Sequence, residues 1–232
     1  MSILVDIREQ VGLLTLDRPE KAHAYDRQHL EALRAGLERL EKTVSVIIIG
    51  STGDRAFCGG ADLSEVGQAD PLDALDLFSQ RVFNAIAASP IISIAAVHGA
   101  AVAGGCELAL ACDLRVVGPA ARFSLPETGM GLIPSAGGCT RLTRLVGPGR
   151  AKEIILGGAT VDASTAVQWG LAGRLVADPR AEALTLAAHI TGRDPVALRL
   201  AKQIIDRDED PRSLAAERVA EAVLYGLKKM KR

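Results

Sequence analysis

The chain has 232 residues, 48% hydrophobic and 24% charged, with 27 Lys and Arg against 28 Asp and Glu for a formal net charge of -1. That balance belongs to a folded globular protein and excludes disorder, low-complexity tails and the basic surplus of a dedicated nucleic-acid binder. A chain of this length buries roughly 70% of its unfolded surface, so no metal or disulfide is needed to hold it together.

Ile3–Ile7 and Val11–Leu16 read as two short strands separated by Arg8-Glu9-Gln10. An amphipathic helix follows Tyr25-Asp26, with Leu30, Leu33, Leu37 and Leu40 at spacings of three and four and Glu31, Arg34, Glu38 and Arg39 between them. The β-branched run Val44–Ile49 predicts a strand buried on both faces. Gly50 to Ala61, with four glycines, predicts a loop, and Asp70-Pro71 opens a helix carrying Leu72, Leu75, Phe78, Val82 and Ile86 on one side. The pattern then recurs: strand Ile91–Val97, glycine turn Gly99–Gly105, short helix Glu107–Ala111, strand Leu114–Val117.

Residues 121–150 are rich in Gly and Pro and predict a loop region. Helices are expected near 149–156, 163–169, 179–191, 195–206 and 211–229, with Leu171–Val176 as an intervening strand. Strand, glycine turn and helix in succession argue for right-handed crossovers and a mostly parallel sheet. The expected organisation is an α/β core over 1–190 and a helical C-terminal region over 191–232.

Cys58, Cys106, Cys112 and Cys139 show no C-x-x-C pairing and no histidine at ligand spacing. They read as buried free thiols in a reducing compartment, with no metal site. The first nine residues place Asp6, Arg8 and Glu9 where a signal peptide needs apolar residues. The richest apolar run, Ile91 to Ala103, is broken by Ser93, His98 and Gly99, short of the ~18 residues of a membrane span. A soluble, cytoplasmic protein is expected.

Several familiar patterns fail. Gly129-x-Gly131 meets Pro134 where a dinucleotide fingerprint needs its third glycine, and no Walker G-K-[ST] exists. Ser135 lacks the first glycine of a nucleophile elbow. The histidines His23, His29, His98 and His189 are scattered. Two glycine turns and two glutamates remain. Phe57-Cys58-Gly59-Gly60-Ala61-Asp62 lets backbone approach a ligand closely and present its N–H groups. Gly104-Gly105-Cys106-Glu107 opens a helix, where unpaired N–H groups and the dipole favour developing negative charge. Glu127 follows Pro126, and its plain reading is a helix start, just as the plain reading of Glu107 is dipole compensation.

Together these blocks resemble the enoyl-CoA hydratase/isomerase, or crotonase, family. The runs Ala95 to Arg115 and Ala121 to Gly138, with Arg141 to Gly147, are similar to its signature, as are Arg18-Pro19-Glu20-Lys21 and Ala56 to Leu63. The resemblance implies a spiral of β-β-α units with a helical C-terminal region for oligomer contacts, as a trimer or a dimer of trimers. It implies that the N–H groups of Ala61 and Gly104 hold a thioester oxygen. It also implies that Glu107 and Glu127 are the acid–base pair, and that Lys21, Ala22, Ala61, Asp62, Leu63 and Ser64 meet the coenzyme A moiety.

The reaction implied is hydration of a 2-enoyl-CoA: Glu107 holds the water, Glu127 protonates the α-carbon, and no metal or redox cofactor takes part. Two carboxyls in one dry cleft are expected to have their pKa values pushed apart. Alternatives within the family are an isomerase, a CoA hydrolase or a decarboxylase; outside catalysis, an acyl-CoA-binding module. No nucleic-acid or membrane partner is expected. His23 and Tyr25 depart from the family's usual Asn and Leu, and Ala103 and Ser135 from its glycines.

Overall fold

A computed structural model describes residues 3–66 and 77–206, together with residue 219. Strands β1 (Ile3–Arg8) and β2 (Val11–Leu16) form an antiparallel hairpin. Helix α1 (Arg27–Leu40) follows, capped by Asp26, whose carboxylate accepts from the His29 N–H. Its buried leucines are the four at helical spacing.

Three coils of one pattern come next. The first runs β3 (Val46–Ser51), β4 (Ala56–Cys58), α2 (Leu63–Val66) and α3 (Phe78–Ala87). The second runs β5 (Ile92–Val97), β6 (Ala100–Val102) and α4 (Gly104–Ala111). The third runs β7 (Leu114–Val117), β8 (Arg122–Ser124), a 3-10 turn at Glu127–Met130 and α5 (Gly138–Ile155). Short strand β9 (Val161–Asp162), α6 (Ala163–Gln168), β10 (Arg174–Leu175), α7 (Pro179–Thr191) and α8 (Pro195–Ile205) close the described chain.

Each coil gives one strand to each of two sheets. The larger has the order β1-β2-β3-β5-β7-β10 and is parallel from β2 onward; the smaller has the order β4-β6-β8-β9, with only β9 antiparallel. Parallel neighbours need a crossover, and the helix of each coil supplies it.

Strand β3 is buried on both faces, as its β-branched run predicts. Ile47 and Ile49 join Leu14, Leu37, Leu40 and Phe57 in the main core, while Val46 and Ile48 meet Ala183, Ala187 and Ile190 of α7. Helix α8 is tied down by Lys202, a buried lysine whose Nζ donates to Asp113 Oδ2 at 2.8 Å and to Ile91 O at 3.2 Å.

The glycine-rich stretches are more ordered than their composition predicts. Residues 121–150 hold β8, the 3-10 turn and the first half of α5, which starts at Gly138 rather than near 149. Gly147 (φ 81°, ψ 162°) breaks that helix into two segments, with Pro148 opening the second. The expected loop from Gly50 to Ala61 contains β4, and the expected turn Gly99–Gly105 contains β6 and the start of α4. Three-residue strands are too short to show periodicity. Residue 219 apart, the expected helix at 211–229 lies outside the described residues, as do the Asp70-Pro71, Leu72 and Leu75 positions. Among the described residues no helix is long and apolar enough to cross a membrane.

Candidate active site

After β4 the chain turns through Gly59 and Gly60, the latter at φ 93°. Ala61 then pairs with Tyr25 in a parallel bridge: the Tyr25 N–H donates to Gly60 O at 2.8 Å and the Asp62 N–H donates to Tyr25 O at 2.7 Å. Those bonds use the groups flanking Ala61 and turn its own N–H away from the Tyr25 strand.

In the next coil Ala103, held at φ 51°, donates its N–H to Ser124 O, and Gly104 opens α4 with an N–H that has no acceptor inside the helix. The two turns touch. A Cβ on Gly60 would stand 3.0 Å from the Gly104 nitrogen, and a Cβ on Gly104 would stand 1.9 Å from the Tyr25 hydroxyl. Only glycine permits this approach. Ala61 and the α4 N-terminus are thereby neighbours, with Tyr25 against both.

Glu107 lies in the first turn of α4 and is buried. Its Oε1 accepts from the N–H groups of Ala136 at 2.7 Å and Gly138 at 2.8 Å. Burial pushes its carboxyl up to about 7; the Glu127 charge adds to the rise, while the two N–H donors and the Arg141 guanidinium oppose it. Glu127, the first residue of the 3-10 turn, is also buried, and burial raises its carboxyl too. Among the described residues its Oε2 has no hydrogen-bond partner.

Both carboxyl charges act on the Tyr25 phenol and on the thiols of Cys106 and Cys139, raising all three, so the pair shares one region of the interior. Both carboxyls shift upward, and desolvation is the leading cause of each rise.

The outer side of the 59–62 turn carries the residues expected to meet coenzyme A. Asp62 Oδ2 is 3.0 Å from Lys21 Nζ and 3.1 Å from Arg18 Nη2, and Asp62 Oδ1 accepts from the Ser64 N–H and hydroxyl. These hydrogen bonds, led by Lys21, hold the Asp62 carboxyl well below its ordinary range. Ala22 sits at φ 51° and its carbonyl accepts from the Gly59 N–H at 2.8 Å. Leu63 is 71% exposed and joins none of these contacts.

His23 braces the turn: Nδ1 accepts from the Arg18 N–H, and Nε2 lies 3.0 Å from Thr52 O. The loop donors at Ala136 and Gly138, and Arg141 beside them, received no role from the sequence; the Gly137-Gly138 pair just before a helix was their only local signal. Cys58, Cys106 and Cys112 are buried free thiols, and Cys139 is a free thiol at intermediate depth. Among the described residues no cluster of His, Cys, Asp and Glu is placed to hold a metal ion.

A two-sheet spiral of β-β-α coils, with paired buried glutamates behind two glycine turns, is the crotonase fold. A solved enoyl-CoA hydratase from Bacillus anthracis superposes with a TM-score of 0.91 at 32% identity, covering 100% of this chain and 96% of that one. The sequence matches the enoyl-CoA hydratase/isomerase family over residues 6–230, and the chain belongs to that family. YngF of Bacillus subtilis, from the same family, is 41% identical over 216 residues, 89% of this chain and 82% of that protein. The crotonyl-CoA hydratase of Syntrophomonas wolfei is 33% identical over 207 residues, 87% of this chain and 80% of that one.

Proposed function

We propose that this protein is an enoyl-CoA hydratase, a lyase that adds water across the 2,3-double bond of a 2-enoyl-CoA. The single observation that carries the reading is the buried pair Glu107 and Glu127, set behind the adjoining turns of Ala61 and Gly104. An isomerase commonly manages with one acidic residue and an acyl-CoA binder needs neither, so a second buried carboxyl, whose desolvation is costly, favours hydration. The N–H groups of Ala61 and Gly104 hold the thioester oxygen as it gains enolate charge, and each such donor contributes about 3–4 kcal/mol to the transition state.

Glu107, with Oε1 fixed by two N–H groups, is the base: it takes a proton from water as the water oxygen bonds to C3. Glu127, its Oε2 without a partner among the described residues, is the acid that delivers a proton to C2. One proton is gained by the pair and one lost, so a single exchange between them or with solvent restores the starting state. The chemistry calls for no metal or redox cofactor. Lys21, Ala22 and Ala61 to Ser64 face the coenzyme A portion of the substrate. The protein works as a cytoplasmic homo-oligomer in fatty-acid metabolism, with 191–232 supplying subunit contacts.

Loss of the conjugated absorbance of crotonyl-CoA measures turnover. Glu107→Gln and Glu127→Gln each abolish it while leaving circular dichroism unchanged; full activity in either variant overturns the assignment.

A further inference from the structure

Helix α3 holds the loop that serves Glu107. Gln80 Nε2 donates to Ser135 O at 2.7 Å, and one turn later Asn84 Oδ1 accepts from Arg141 Nη2 at 2.5 Å. The same guanidinium donates through Nη1 to Ala136 O at 2.9 Å. Ala136 is thus gripped on both sides, its N–H by Glu107 Oε1 and its carbonyl by Arg141. The next residue, Gly137, sits at φ 109°, and a Cβ there would fall 2.0 Å from Arg141 Nη1. Gly137 and Gly138 give this loop no side chain with which to stiffen itself. A donor held only by such a backbone keeps its aim poorly.

We propose that Arg141, anchored by Asn84, is a positioning residue for Glu107: it fixes the loop that presents two N–H donors to Oε1 and supplies the cation that this carboxylate faces. The role rests on the reading of Glu107 as the base of hydration. The other titratable groups facing Glu107 are Glu127 on the 3-10 turn, Cys106 on α4, Cys139 on α5 and Tyr25 ahead of α1. Glu127 destabilises the carboxylate, and none of these four is a cation. Among the described residues Arg141 is the positive side chain that acts on Glu107.

The experiment compares the wild-type chain with Arg141→Gln, Arg141→Lys and Asn84→Ala. One readout is the pH profile of kcat on crotonyl-CoA. The other needs no turnover: 13C NMR titration of the Glu107 carboxyl in glutamate-labelled protein, with Glu107→Gln identifying the resonance.

In Arg141→Gln the Glu107 midpoint, and with it the acidic limb of kcat, moves up. Arg141→Lys returns the midpoint toward wild type with kcat still reduced several-fold, since a compact ammonium does not reproduce the planar fork that spans Ala136 O and Asn84 Oδ1. Asn84→Ala leaves the midpoint in place and lowers kcat with KM unchanged.

An unmoved midpoint in folded Arg141→Gln overturns the proposal, as does a lysine variant no closer to wild type than the glutamine one. Should Arg141→Gln fail to fold, Asn84→Ala decides, and an unaltered kcat there overturns the proposal. Should the wild-type chain not hydrate crotonyl-CoA, the NMR midpoints still decide the role of Arg141. Failure of the hydratase reading is therefore distinguishable from failure of this one.

Discussion

The hydroxyl of Tyr25 fills the space that a methyl group on Gly104 would need, with only 1.9 Å between that oxygen and an ideal Cβ. The phenol cannot easily move. It is buried, hydrogen-bonded to Ser79, and edge-on to Phe83 with ring centroids 5.8 Å apart.

Gly104→Ala therefore has to displace either Tyr25 or the start of α4, misaiming the leading N–H. Loss of one oxyanion donor is worth about 3–4 kcal/mol, so crotonyl-CoA hydration falls by two orders of magnitude or more. Adding Tyr25→Phe removes the closest obstacle and leaves the ring carbon Cζ, 2.8 Å from the methyl, as the next. The double variant recovers part of the lost kcat. Steady-state kinetics on the two variants check this, and no recovery means that the phenol is not what the methyl meets.

Glu107 sets stability and activity against each other as pH changes. Its folded pKa, about 7, lies above the ordinary 4.5, so between those values the folded state holds more protons than the unfolded one. Stability is then greatest below about 4.5 as far as this group is concerned, and falls as pH rises toward 7. A shift of that size corresponds to a loss on the order of 3 kcal/mol. Glu127, also raised, acts in the same direction. The base form needed for hydration accumulates over the same interval. Urea unfolding at pH 5 and pH 8 tests it: Glu107→Gln is more stable than wild type at pH 8, and the advantage shrinks at pH 5.

Lys202 on α8 is paired at depth with Asp113, whose Oδ2 also accepts from the Ser93 N–H and hydroxyl. Removing one partner of a buried pair strands the other charge, at a typical cost of about 3–5 kcal/mol. Lys202→Met lowers the urea midpoint accordingly. Hydration per folded molecule stays at the wild-type rate at low temperature, because Lys202 lies on α8, away from the glutamate pair.

The thiols supply a test of burial. Desolvation pushes Cys58 and Cys112 up to about 12 and Cys106 higher still, so none offers thiolate at pH 8. A thiol reagent at pH 8 labels at most one equivalent in the native protein, the half-buried Cys139, and four after unfolding. Two or more equivalents in the native state contradict the burial described here.

Where the sequence repeats a period, it was readable. The leucines of α1 and the β-branched run of β3 locate those elements and their buried faces, because each pattern is the face it buries. The candidate residues were readable only jointly: a first-turn Glu107 or a Pro-preceded Glu127 has an ordinary explanation alone. What stayed hidden depends on contacts distant in the chain. Nothing local to Ala136 announces that its N–H meets a carboxylate 29 residues earlier, nor that Arg141 holds it through a residue of α3 57 positions away. The upward shift of both carboxyls was equally hidden, since depth of burial is a property of packing.

The glycine turns at Gly60 and Gly104 and the Glu127 turn come from three consecutive coils of the spiral. Adjacent strands of a sheet stand about 4.8 Å apart. The reactive groups are thus spaced by the pitch of the stack, a length that side-chain substitution leaves alone. Such a scaffold can exchange the residues that select a substrate while the ruler against which the reacting atoms are laid keeps its gradations.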